Sequence, residues 1–189
     1  MKRFLSFLVF GLICIYLCVL PGYAGIATYN LSVTATVVGN CTISTTPVAF
    51  GNYDPIVANA TNPLEATGTV VVTCTKNTPV TNLWVSLGQG LHFSTNTTHM
   101  QGATSSDLLS YTLYQPPSNT AGAACASPFS SRPIWGNGTP GPGTYGNALA
   151  LTSPLSKTAR TYNVCGSIPG GQDMSVDSYS DTVVATVNF

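Results

Sequence analysis

Few side chains in this 189-residue chain could carry acid–base, nucleophilic or metal chemistry. Its two histidines, His92 and His99, lie in a Ser/Thr/Asn-rich stretch after Leu87. A histidine beside a serine could serve as the base of a hydrolase, but the Gly-x-Ser-x-Gly elbow that presents such a serine is absent. Both are expected to be exposed loop histidines. Asp173, Asp177 and Asp181 recur at intervals of four, yet the Asp-x-Asp run and closing glutamate of a calcium loop are missing. They read as solvated turn carboxylates, with Asp181 bonding a neighbouring loop. No C-x-x-C pair stands near a histidine, so no metal site is assigned. The sequence thus offers no catalytic, cofactor or metal-binding residue, and an enzyme is not expected. Trp84, Trp135 and the tyrosines could line a sugar platform, although aromatics on strands more often pack in a core.

The elements that would position these residues begin after a leader. Lys2 and Arg3 precede an apolar run from Phe4 to Leu20, and Gly22-Tyr23-Ala24 supplies small residues for cleavage. Residues 1–24 are read as a signal peptide, whose removal leaves 165 of the 189 residues, enough for one domain. Cys14 and Cys18 fall inside the apolar run as filler. Four cysteines remain, and an even count in an exported chain implies disulfides. Three connectivities are open; the sequential one, Cys41–Cys74 with Cys125–Cys165, is preferred.

Without Lys2 and Arg3, four basic residues face six acidic ones, a net charge of minus two. With no basic patch, nucleic acid is not an expected partner. A surface with so few charges and so many hydroxyls and amides gives little electrostatic protection against association.

Nothing long repeats at the helical period. Short β-rich runs alternate with turn clusters, which predicts an all-β sandwich. Strands are expected from Cys41 to Ser44, Val48 to Tyr53, Ala66 to Thr75, Leu83 to Leu87, Leu109 to Tyr114, Lys157 to Val164 and Tyr179 to Phe189. Residues 118–131 read as a loop pinned by Cys125. The Gly/Pro tract from Gly138 to Gly146 cannot be regular structure, and Ala148 to Leu151 is ambiguous.

Two stretches at opposite ends share one pattern. In Tyr29-Asn-Leu-Ser-Val-Thr-Ala-Thr-Val37, the residues Tyr29, Leu31, Val33, Ala35 and Val37 alternate with polar ones, giving an amphipathic strand. No hairpin signal ties it to a following strand. It can therefore complete its own sheet or be lent to a neighbour. Near the C-terminus Val183, Ala185, Val187 and Phe189 share a face in the same way, and no strand-length segment follows to cover the edge they leave.

These marks together resemble the spore coat protein U domain family, the pilin-subunit domain of archaic (Csu-type) chaperone–usher fibres. They are Cys41, then Phe50-Gly51-x-Tyr53, Gly68 ahead of the Val run to Cys74, and Leu109-Ser-Tyr111-x-Leu113-Tyr114. Trp135-Gly136, Ile168-Pro169-x-Gly171-Gln172 and Tyr179-x-Asp181-Thr182-Val183 follow in order. The resemblance implies an incomplete immunoglobulin-like sandwich completed by donor-strand exchange, and the Cys41–Cys74 bridge. On it, residues 25–40 are the donor arm and 41–189 the pilin domain. Tyr29, Leu31, Val33, Ala35 and Val37 would be donated, and Val183, Ala185, Val187 and Phe189 would edge the acceptor groove. The implied partners are a periplasmic chaperone, an outer-membrane usher and neighbouring subunits, in a surface fimbrium supporting adhesion and biofilm. The alternative is a monomeric secreted carbohydrate-binding sandwich. Two departures stand out: Cys165 replaces a more usual aromatic, and Asp177 a more usual glycine.

Overall fold

The computed structural model describes residues 22, 24–78, 83–138, 145–151 and 156–189. Most of the expected leader, residues 1–21 and 23, and the core of the Gly/Pro tract, residues 139–144, lie outside the described residues. The chain divides into two units, Met1–Thr36 and Val37–Phe189. In the first, residues 24–36 carry no strand or helix.

Among the described residues the second unit holds nine strands: β1 (Cys41–Thr46), β2 (Leu64–Cys74), β3 (Trp84–Leu87), β4 (Thr98–Gly102), β5 (Leu108–Tyr114), β6 (Leu149–Ala150), β7 (Arg160–Ile168), β8 (Tyr179–Ser180) and β9 (Ala185–Asn188). They form a six-stranded sheet in the order β1-β2-β7-β5-β4-β8 and a three-stranded sheet in the order β6-β3-β9. All the ladders between these strands are antiparallel. The domain is an incomplete immunoglobulin-like β-sandwich: β9 lies at the rim of the smaller sheet, and among the described residues its only ladder is to β3.

Alternation explains the core. Along β2, Val70, Val72 and Cys74 are buried, while Val71 and Thr73 point the other way. Val85 and Leu87 on β3, Leu109, Tyr111 and Leu113 on β5, and Tyr162, Val164 and Ile168 on β7 meet them in one cluster with Trp135. Trp135 is 1% exposed and its indole Nε1 donates to the Val85 carbonyl at 2.9 Å.

Both disulfides join the residues of the sequential pairing, Cys41–Cys74 and Cys125–Cys165. The first ties β1 to β2 where their ladder begins. The second has another task. By alternation Cys165 faces away from the Tyr162–Val164–Ile168 side of β7, yet it is 1% exposed. The loop of residues 115–128 covers it, and is held there by Gly122 N donating to Thr161 O and Asn163 Nδ2 to Ala123 O, both at 2.8 Å.

Several expected strands are corrected. Val48–Tyr53 forms no strand, turns through the positive φ of Gly51, and among the described residues pairs with no strand. Pro47 removes a ladder donor at its start, and the alternation of Val48 and Phe50 reflects packing onto the sandwich interior. The strand expected to end near Cys165 runs on to Ile168. Thr98–Gly102 is a strand that hydrophobic alternation does not announce. Tyr179–Phe189 is not one strand: Tyr179–Ser180 pairs with β4 in the large sheet, and Ala185–Asn188 with β3 in the small one. Residues 181–184 carry the chain across.

Loop closures of 33 and 40 residues are large enough for each bridge to contribute about 3–4 kcal/mol through the unfolded chain. Replacing both Cys41 and Cys74 by Ser should lower unfolding free energy by about that amount, measured by urea denaturation. Replacing Cys125 and Cys165 should cost a similar amount and free residues 115–128 to proteolysis.

Candidate strand-binding groove

Where β1 and the 181–185 crossing face each other, the sandwich has an open cleft of about 290 Å³. Its floor is the interior face of the large sheet, with Val70, Met100, Tyr111, Leu113 and Val164, and Leu87 of the small one. One wall is Thr45, Thr46, Val48 and Phe50; the other is Thr182, Val183 and Ala185. The floor is apolar, and among the described residues no ladder joins β1 to β9 across it, an arrangement open to an added β-strand. Side chains of alternate residues would enter the floor, and main-chain groups would pair with β9.

Two glycines shape the first wall. A Cβ on Gly68 would stand 2.8 Å from the Thr46 carbonyl oxygen and from Val48 Cγ2. A Cβ on Gly166 would stand 2.5 Å from Val48 Cγ1 and 2.8 Å from Phe50 Cζ. Bare backbone at these points of β2 and β7 lets Val48 and Phe50 settle onto the sheet. Phe50 then meets the Tyr111 ring edge-on at 6.5 Å between centroids.

The far end of the cleft is closed by Asp181. Its side chain is 2% exposed. Oδ1 accepts from the amides of Leu91 and Thr182, each at 2.8 Å, and Oδ2 accepts from the Tyr111 hydroxyl at 2.6 Å. Three donors satisfy a buried carboxylate that would otherwise be costly. Burial first, and the Asp181 carboxylate second, push the Tyr111 phenol far above its ordinary value, so it remains a donor. These bonds hold the 88–91 turn against residues 181–182, and they break the last strand in two. The expectation that Asp181 bonds a neighbouring loop is met by Leu91.

His92 and His99 are not the exposed loop histidines expected. His92 is half-buried, its Nδ1 lies 3.4 Å from Asp181 Oδ1, and His99 on β4 places its Nδ1 3.1 Å from the His92 carbonyl oxygen. Neither stands with a nucleophile. Among the described residues no group of His, Cys, Asp and Glu could hold a metal ion. The aromatic sugar platform does not form as a pair, because Trp135 is buried while Trp84 lies half-buried on the small sheet.

The residues expected to edge the groove divide. Val183 and Ala185 line the cleft, Val187 packs on the core, and Phe189 is 55% exposed. The residues expected to be donated are exposed: Tyr29 100%, Leu31 87%, Val33 85% and Val37 82%, with Ala35 exposed as well. Sequence reasoning missed Val48, Phe50, Gly166 and Met100 as parts of the groove. The Phe50-Gly51-x-Tyr53 mark contained one of them.

Asp177, which stands where glycine is more usual, ties two loops. Its carboxylate accepts from the amides of Ser105 at 2.7 Å and Thr104 at 2.8 Å, and these bonds hold its carboxyl well below the ordinary 3.8.

These observations define a class: an antiparallel two-sheet sandwich with a cleft, apolar at its floor, open beside its last strand. The sequence model of the Spore Coat Protein U domain matches residues 27–186. "Protein U" of Myxococcus xanthus is 34% identical over 181 residues, covering 89% of this chain and 88% of that protein. The chain belongs to the Spore Coat Protein U domain family. It is also similar to a chain of the CsuC–CsuE chaperone–tip adhesion subunit pre-assembly complex from archaic chaperone–usher Csu pili of Acinetobacter baumannii. There the identity is 22% and the TM-score 0.49, over 82% of this chain and 41% of that one.

Two outcomes check this geometry. Gly68→Ala should destabilise the domain by about 1–3 kcal/mol, because its methyl meets backbone that cannot yield cheaply; urea denaturation reads it. For Asp177, a depressed folded value means that its stabilisation is present above the ordinary 3.8 and is lost as pH falls through the lower folded value. The Thr104 and Ser105 amide resonances should therefore titrate with a midpoint well below 3.8.

Proposed function

We propose that this chain is a structural, non-enzymatic subunit of a surface fimbrium, assembled through the chaperone–usher pathway by donor-strand complementation. The cleft beside β9 carries the reading: an opening with an apolar floor next to the last strand, in a chain that also holds an exposed stretch of alternating apolar residues at Tyr29–Val37. Residues 1–24 direct export, residues 25–40 are the donated arm, and residues 41–189 are the acceptor domain.

The magnitudes favour exchange between copies. Burying Tyr29, Leu31, Val33 and Val37 gains roughly 1.5–3 kcal/mol each, or about 6–12 kcal/mol together. A typical domain is stable by about 5–15 kcal/mol, so the missing strand is worth as much as the fold itself. An acceptor with an empty groove exposes an apolar edge that invites aggregation. A periplasmic chaperone that occupies the groove until the outer-membrane usher presents the next arm removes that hazard. A one-residue slip of the donated strand would turn every inward side chain outward, so register is fixed by the pattern itself.

Donation from each copy to its neighbour is heterologous and does not close, so the product is a filament. Export, a cell-surface fibre and support of adhesion and biofilm follow from this reading.

Deleting Ile26–Val37 tests it. The intact mature chain should run as a ladder on an unboiled SDS gel and collapse to one band on boiling. The deletion variant should bind chaperone yet give a single band. Fibres formed by the deletion variant would overturn the reading.

A further inference from the structure

Most charges of the domain are sorted by end, apart from Asp181, which is buried at the cleft, and Glu65, which lies on β2 opposite Ser167. The ladder β1-β2-β7 fixes the two ends, because Leu64 pairs with Ile168 at one and Cys41 with Cys74 at the other. Asp54, Asp107, Asp173 and Asp177 all lie in the loops at the Leu64–Ile168 end, knitted together there by Tyr53 to Pro169, Asp107 to Ser175 and Asp177 to Ser105. Lys76 and Lys157 lie at the Cys41–Cys74 end, where Cys74 N bonds Ser156 O, and Arg160 pairs with Val72 beside them. The remaining basic residue, Arg132, sits mid-way, two residues from the Tyr114–Ile134 bridge.

The eleven residues of β2 separate the two ends by roughly 35 Å at about 3.3 Å per residue. That exceeds the Debye length of about 10 Å at 0.1 M salt, so the two ends do not cancel one another within a domain. A second observation gives the polarity a use. The chain enters the domain at the basic end: Thr75 Oγ1 donates to Val38 O and accepts from Asn40 N.

We infer that the acidic loop end and the basic entry end are complementary faces, and that they orient one copy of this chain against the next during assembly. The inference rests on the donor-strand reading and adds to it a choice of direction. An arm that leaves a neighbour's groove at the acidic end brings its own basic end onto opposite charge. An arm that leaves at the basic end brings like charges together. Amide donors keep Asp54 and Asp177 ionised and a Ser175 contact does the same for Asp107, so the acidic face persists at neutral pH. On a surface with so few other charges, these groups set the field that an approaching copy meets.

The test measures the initial rate of SDS-resistant multimer formation by the full mature chain. Raising NaCl from about 20 to about 300 mM should slow assembly by about tenfold, within the range of electrostatic steering. Lys76→Glu with Lys157→Glu should slow it comparably at low salt, and so should Asp173→Lys with Asn52→Lys; all four positions are exposed. The protein carrying all four substitutions should regain most of the lost rate, which a folding defect would not allow. Ladders forming at one rate in every variant and at every salt concentration would overturn the inference and leave donor-strand exchange intact, as would a fourfold variant no faster than its parents. Absence of any ladder from the unsubstituted chain would overturn both.

Discussion

The domain depends on a backbone edge that nothing in the described residues pairs. β9 bonds β3 on one side, and on the other it faces β1 across an apolar cleft rather than across a ladder. Unpaired backbone beside apolar side chains is unstable in water in two ways at once. The hydrogen-bonding groups seek partners, and the apolar floor seeks cover. A β-strand supplies both remedies, whereas a small ligand or a helix would supply only the second.

The rest of the groove follows from how the chain avoids filling that place itself. After β1 the chain leaves the ladder at Pro47, and Val48 and Phe50 drop onto the interior where Gly68 and Gly166 leave room. They form a wall instead of a strand. At the other side the last strand is interrupted at Asp181, whose bonds to Leu91, Thr182 and Tyr111 anchor the crossing from one sheet to the other. The interruption aligns Val183 and Ala185 with the cleft. A continuous strand from Tyr179 to Phe189 would have stayed in one sheet and left no such position.

Much of this was legible in the residues. The alternation in β2 and β5 reports local geometry, because side-chain facing follows directly from sequence along an extended chain, and the even cysteine count reports the two bridges. What stayed hidden depended on neighbours distant in sequence. Val48–Tyr53 has the same periodicity as a paired strand, but it lacks a ladder partner among the described residues and turns at Gly51. Strand β4, Thr-His-Met-Gln-Gly, is polar because its environment is made by Tyr111 and His92, the former through a Thr98 hydroxyl bond to the Tyr111 carbonyl. Asp181 reads as a turn carboxylate until three donors from separate parts of the chain converge on it. Cys165 shows the converse case. Where an aromatic would cover the outer face of β7 by its own bulk, a disulfide draws a loop over it.

The composition fits a fold whose stability is shared between copies. The arm's exposed apolar residues and the cleft's floor are each unfavourable in an isolated chain, and on the proposed reading each cancels the other's cost only between neighbours. Stability then belongs to the polymer more than to the subunit. This explains why a domain so poor in charge can serve: mutual repulsion, which keeps monomers apart, would oppose the state in which the chain is fully folded. Disulfides that hold β1 to β2 and the 115–128 loop to β7 fix the framework around the cleft.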